Sequence, residues 1–192
     1  MKRIITIGLL CIFLFSFISC KSYGNVTFGE NNSELLYQGD KYYETPIFDV
    51  FKPTEYSGVK FENDIELGLY YSFPFSTMFY SNTSENPAFI YTIGGKTSMY
   101  LKQDYDYSTD VFVVENTDAE IVWEDIFIGE KSDVSPSALI RVYLYSKQYP
   151  RIRTYFDLTY VENQWYIFLP NSKNAWIASD GFIDILFENG IL

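Results

Sequence analysis

The run Asp104-Tyr105-Asp106-Tyr107-Ser108-Thr109-Asp110, followed by Glu115, carries oxygen donors at the first, third, fifth and last positions of a calcium-binding loop. Asp104, Asp106, Ser108 and Glu115 are the residues such a site would use. Thr109 stands where the loop's sharp turn needs glycine. Val111 to Val114 read as a strand where the incoming helix should begin. The run is therefore read as a polar connection between strands, and no metal and no cofactor are expected. Glu62, Asp64 and Glu66 alternate on a second candidate segment. Carboxylates two apart on a strand are separated by about 6.5–7 Å, and a glycosidase needs two carboxyls about 5–9.5 Å apart. Catalysis would further require one of them to be buried so that its pKa rises. Three like charges on one face is also the ordinary appearance of a solvated strand, so no catalytic residue is assigned.

The chain has no histidine. This removes Ser-His-Asp and Cys-His catalysis, the common histidine-containing zinc sites and a histidine pH switch. Its two cysteines are Cys11 and Cys20. Without Lys2 and Arg3 the chain keeps twelve basic against twenty-five acidic side chains, a net of −13. Such a surface does not bind the phosphates of nucleic acid, which is excluded as a partner. Tyrosine and phenylalanine are abundant, at eighteen and seventeen residues. Rings of this kind build strands, and where exposed they bind sugars, peptides and proteins.

The first twenty residues give an address. Met1-Lys2-Arg3 precede an apolar or small run from Ile4 to Ser19, which Cys20 closes. A basic start, an apolar core and a small residue before the cut form a secretory signal. Sixteen residues fall short of the roughly 20 that cross a bilayer as a helix. Phe17-Ile18-Ser19-Cys20 resembles a bacterial lipobox, with an aromatic where leucine is usual. The resemblance implies cleavage after residue 19, lipid on Cys20, and a bacterial protein anchored to the periplasmic face of a membrane or to the cell surface. Cys11 then leaves with the signal, so the mature chain would hold no disulfide and depend on packing.

The elements that must position any site read as strands. Residues 20–33 look like a polar tether or a loosely attached first strand, and 34–192 like one globular β domain. Glu34–Gln38 and Lys41–Glu44 make a hairpin about Gly39-Asp40. Phe61 to Ser72 alternates, with Phe61, Ile65, Leu67, Leu69 and Tyr71 on one face. Residues 73–87 read as a long aromatic loop, and Phe73, Phe75, Phe79 and Tyr80 are its candidate binding residues. Ala88–Ile93 and Lys96–Leu101 flank a Gly-Gly turn. Further strands are expected at Asp110–Glu115 and Ile121–Ile128. Ala138–Lys147, Ile152–Val161 and Gln164–Leu169 read as an antiparallel meander, with Ala175–Ala178 a fourth strand beside it. Trp165, Ile167 and Leu169 are expected in the core, with Tyr166 and Phe168 turned outward or against a second layer. Residues 182–187 fit neither period clearly. The expected class is mainly β, an antiparallel sheet forming a small barrel or sandwich, with little helix outside the signal.

Gln164-Trp165-Tyr166-Ile167-Phe168-Leu169, then a short turn, then Ala175-Trp176-Ile177-Ala178, resembles the paired tryptophan strands of bacterial SH3-like domains. Trp165 and Trp176 match the two tryptophans, and Ala175 stands where that family has glycine. A looser likeness runs over residues 96–182. The resemblance implies a non-catalytic binding module in the cell envelope, with Trp165 and Trp176 among its binding residues. The sequence thus points to a lipid-anchored envelope protein that binds a peptide, glycan or protein. A carboxylate-dependent hydrolase of envelope or extracellular polysaccharide and a structural subunit of an envelope assembly are the alternatives.

Overall fold

The computed structural model describes residues 21–24, 26–29, 33–50, 64–72, 75–93, 97–131, 134–136, 138–149 and 151–192. The signal segment, Cys20, Phe61, Glu62, Phe73 and the Gly94-Gly95 turn lie outside them. The strands are β1 (Lys21–Gly24), β2 (Val26–Phe28), β3 (Glu34–Tyr37), β4 (Asp40–Glu44), β5 (Asp49–Val50), β6 (Ile65–Ser72), β7 (Phe75–Ser81) and β8 (Phe89–Ile93). They continue with β9 (Met99–Lys102), β10 (Val111–Val114), β11 (Glu120–Val122), β12 (Phe127–Lys131), β13 (Ile140–Ser146), β14 (Ile152–Val161), β15 (Gln164–Phe168) and β16 (Ala175–Ala178). A 3-10 turn covers Trp123–Ile126, and one helix, α1, covers Asp180–Glu188. The fold is mainly β, as expected. It divides into two compact units. The described residues up to Glu44 and from Asp64 to Gln103 form the first. Thr45 to Val50 and Asp104 to Leu192 form the second.

The first unit is one antiparallel sheet in the order β1-β6-β7-β8-β9-β4-β3-β2. Its end strands β1 and β2 are consecutive in sequence, so the sheet curls into a nearly closed barrel. Phe28 of β2 meets Tyr70 of β6 edge-on at 4.8 Å across that seam. Residues 21–28, read as tether from their polarity, are thus largely taken up by strands, and Val26 is fully buried. Val26, Leu35, Tyr37, Tyr42, Leu67, Phe79, Ile90 and Tyr100 fill the interior. The β3–β4 turn is Gln38-Gly39, one residue earlier than expected, and both have positive φ, as a two-residue hairpin turn requires.

Two expectations fail in this unit. Residues 75–81 are a central strand pairing β6 and β8, not part of a loop. The Ser and Thr content that suggested a loop falls at positions the ladder tolerates. Along β6 the simple alternation breaks. Glu66 pairs with Tyr80 and Gly68 with Phe79, which leaves Leu67 as the extra residue of a β-bulge. A bulge shifts the following residues to the other face, so Tyr70, expected on the polar side, packs on the core instead.

The second unit is an antiparallel sheet in the order β11-β10-β13-β14-β15-β16-β12, with β5 beside the start of β14. The expected strand Ile121–Ile128 is broken by the 3-10 turn, which joins the two edge strands β11 and β12 and bends the sheet into a curled half-barrel. Trp123 in that turn sits inside the curl, with Phe48, Tyr107, Phe112, Phe127 and Phe156 at ring distances of 5.3–5.7 Å. The meander 138–169 and its fourth strand form in the expected order, with Val142 opposite Phe156, Leu158 opposite Ile167 and Ile167 opposite Trp176. Residues 182–187, ambiguous by pattern, lie within the helix Asp180–Glu188. The Ser179 hydroxyl accepts the Phe182 N–H at 3.1 Å as an N-cap. Phe182, Ile183 and Leu186 turn inward, and Phe182 meets Phe156 at 6.1 Å.

Candidate functional site

The acidic run does not converge. Asp104 is exposed. Asp106 accepts the Ser108 N–H at 2.9 Å, which holds its carboxyl below the ordinary range. Glu115 accepts the Tyr145 hydroxyl at 2.7 Å. Asp110, almost fully buried, accepts the Tyr105 hydroxyl at 2.8 and 3.0 Å. Burial raises the Asp110 pKa, and the Tyr105 hydrogen bond opposes part of that rise. Among the described residues no group of three or more Asp, Glu, His or Cys is arranged to hold a metal. Of the alternating carboxylates, Asp64 precedes β6, and Glu66 pairs across from Tyr80.

The predicted aromatic residues separate. Phe79 is fully buried in the first core, and Tyr80 stacks on Tyr91 at 5.8 Å. Phe75 opens β7, but its side chain, like all of Phe73, lies outside the described residues. Trp176 is half-buried and packs at 5.7 Å against Phe127. Trp165 is half-buried rather than in the core, whereas Tyr166, expected outward or against a second layer, is 4% exposed. The strand register is the expected one. What differs is where the inner face stops being covered. Leu158 and Ile167 are the last fully buried pair, and the next pair along, Tyr160 and Trp165, lies beyond it.

That pair belongs to a three-ring cluster at the open end of the second sheet. Glu162 and Asn163, both at positive φ, make the tight turn that sets Tyr160 directly opposite Trp165. Their rings stand 5.1 Å apart at 47°. From α1, Phe187 meets Trp165 edge-on at 6.4 Å. Tyr160 is 50% exposed and Phe187 53% exposed. Ile140, opposite Leu158 and so diagonal to Tyr160, is exposed as well. The cluster is flanked by acid. Glu162 is at the hairpin tip, and Asp180, Asp184 and Glu188 recur every fourth residue along the helix. Of these three rings the sequence marked only Trp165. The polar Glu162-Asn163 turn signals that neighbouring rings lie at a strand end. The Ser179-Asp180 start marks the helix that carries Phe187.

The other face of the same strands is built differently. Arg141 donates to Asp157 through Nε at 2.8 Å and Nη2 at 2.9 Å, and lies 4.1 Å over the Tyr155 ring. Tyr143 faces Tyr155 at 6.0 Å. Arg153 lies 5.5 Å from the Tyr143 ring and donates to Asp49 at 3.4 Å. Here cations, rings and carboxylates satisfy one another within the sheet.

Compared with protein-family models, curated proteins and solved structures, the chain matches none.

Proposed function

We propose that this chain is an exported, lipid-anchored protein of the bacterial cell envelope that binds a peptide, glycan or protein partner without catalysis. Its binding surface is the cluster Tyr160, Trp165 and Phe187. The observation that carries the reading is that the exposed rings of Tyr160 and Phe187 both meet the half-buried Trp165, two of the three on a tight hairpin and one on a capped helix. Monomer surfaces seldom leave large rings grouped in the open, and aromatic anchors dominate binding surfaces. The likeness of Trp165 and Trp176 to the tryptophan strands of SH3-like domains supports a binding module. The signal grammar and Cys20 support the address. In this reading the anchor is lipid on Cys20; no helix among the described residues is long and apolar enough to cross a membrane.

Two measurements test it. Cys20→Ser should move the protein from the detergent phase to the soluble fraction, because each acyl CH₂ contributes about 0.8 kcal/mol to membrane partitioning. Retention of the Ser variant in the membrane would sink the anchor reading. Pull-down of the anchored protein from its own envelope should recover a partner that Trp165→Ala loses. Undiminished recovery with the variant would remove this surface from the proposal.

A further inference from the structure

Resting on that reading, we infer that the occupant of the Tyr160–Trp165–Phe187 surface is a cationic segment of a protein partner. Its lysine or arginine side chains lie over the rings and pair with the surrounding carboxylates. Three independent features of the surface favour positive charge. The faces of Tyr160, Trp165 and Phe187 are electronegative, and cations within about 6 Å of such rings are attracted to them. Glu162 stands at the turn between two of the rings, and Asp184 and Glu188 flank the third in sequence. Finally, α1 ends beside Phe187. A helix C-terminus carries a partial negative charge that Lys or Arg in the last turn usually complements. This one has no basic residue in its last turn and places Glu188 there instead.

Intramolecular neutralisation is scarce. Apart from Asp157, which Arg141 already pairs, the sequence from Thr154 to Leu192 has four acidic residues and one basic residue, Lys173. The charge also excludes alternatives. Anionic lipid, nucleic acid and acidic polymers would meet repulsion here. A neutral glycan could stack on the rings but would leave the carboxylates uncompensated.

The test uses the full lipidated chain in neutral detergent, titrated by calorimetry with hexalysine, cellohexaose and hexaglutamate. Hexalysine should bind, with an affinity falling about tenfold or more between low and high salt, as expected for charge-steered contacts. Trp165→Ala and the pair Glu162→Gln with Asp184→Asn should each weaken it about tenfold. Asp118→Asn, an exposed acidic change elsewhere, should not. Melting curves confirm that each variant is folded, and Trp165→Phe, which keeps a ring, should retain most of the affinity. Cellohexaose binding that Trp165→Ala abolishes, with no hexalysine binding, would overturn the cationic occupant and leave the binding surface standing. Hexalysine binding that ignores all the site variants would also overturn it, as attraction to net charge alone. If neither probe binds and the envelope partner survives Trp165→Ala, both the occupant and the surface are wrong.

Discussion

The β14 strand presents rings on both of its faces, and the two sets have opposite surroundings. On the outer face Tyr155 lies under the Arg141 guanidinium, which is itself held by Asp157, and Tyr143 faces Arg153. On the inner face, past Leu158, Tyr160 stands with Trp165 and Phe187, whose sequence neighbours Glu162, Asp184 and Glu188 are acidic. All three arginines after residue 20, Arg141, Arg151 and Arg153, fall on the β13–β14 hairpin. A ring capped by a cation from its own sheet has its electrostatic partner already. A ring set among acid has the same apolar area and no such partner nearby in sequence. The difference separates a tyrosine-rich face that stabilises the sheet from one suited to recognition.

The largest expected effect lies in the core. Phe156 is fully buried on the inner face and meets Trp123, Phe127 and Phe182. Phe156→Ala should cost about 3–5 kcal/mol by chemical denaturation, as for a buried aromatic removed from a core. A cost under about 1 kcal/mol would mean that the inner face is not packed as a core.

Trp165→Ala should come next, at about 1–2 kcal/mol, because a half-buried ring loses only part of its burial free energy. Its effect on partner capture should be much larger than its effect on folding. A stability loss as great as that of Phe156→Ala would break the comparison, since Trp165 would then be a core residue.

Arg141→Ala should cost about 1 kcal/mol through the lost two-point contact to Asp157 and the lost cap on Tyr155. It should leave capture of the envelope partner unchanged. Loss of capture with intact stability would move the recognition surface to the outer face.

How much of this was legible depended on whether a pattern is local. The meander 138–169 was readable because Val142, Leu144, Phe156 and Leu158 alternate between polar turns, and period two fixes the face. Trp165 was marked as a binding residue through the SH3-like resemblance, while the same alternation placed it in the core. Its exposure was not readable, because that depends on where the curled sheet stops covering its own inner face. The bulge at Leu67 was hidden, since one extra residue leaves composition unchanged while reversing the faces beyond it. Phe187 was missed because α1 is short and shows only Phe182, Ile183 and Leu186 as its apolar stripe. The two-unit division was equally hidden, as β5 and its flanking residues leave the first unit's sequence to join the second.

The smallest effect tests the same contrast with a carboxylate. Asp157 is met by a guanidinium, whereas Asp110 is buried and receives the Tyr105 phenol. The Tyr105 hydroxyl also approaches the Tyr149 hydroxyl at 3.4 Å, and Asp106 adds repulsion. Burial raises the Asp110 pKa above its ordinary 3.8. A carboxyl with a higher pKa in the folded chain holds its proton more tightly there. Its contribution is therefore most favourable below the unfolded value and is lost as pH rises through the folded one. Asp110→Asn keeps an oxygen to accept the Tyr105 hydroxyl and removes the charge. The variant should melt slightly above the parent at neutral pH, with the difference closing as pH falls toward 3.8. A variant that melts lower at neutral pH would show that the ionised carboxylate stabilises this loop. The contrast between a carboxylate met by a guanidinium and one met by a phenol would then not govern stability in the second unit.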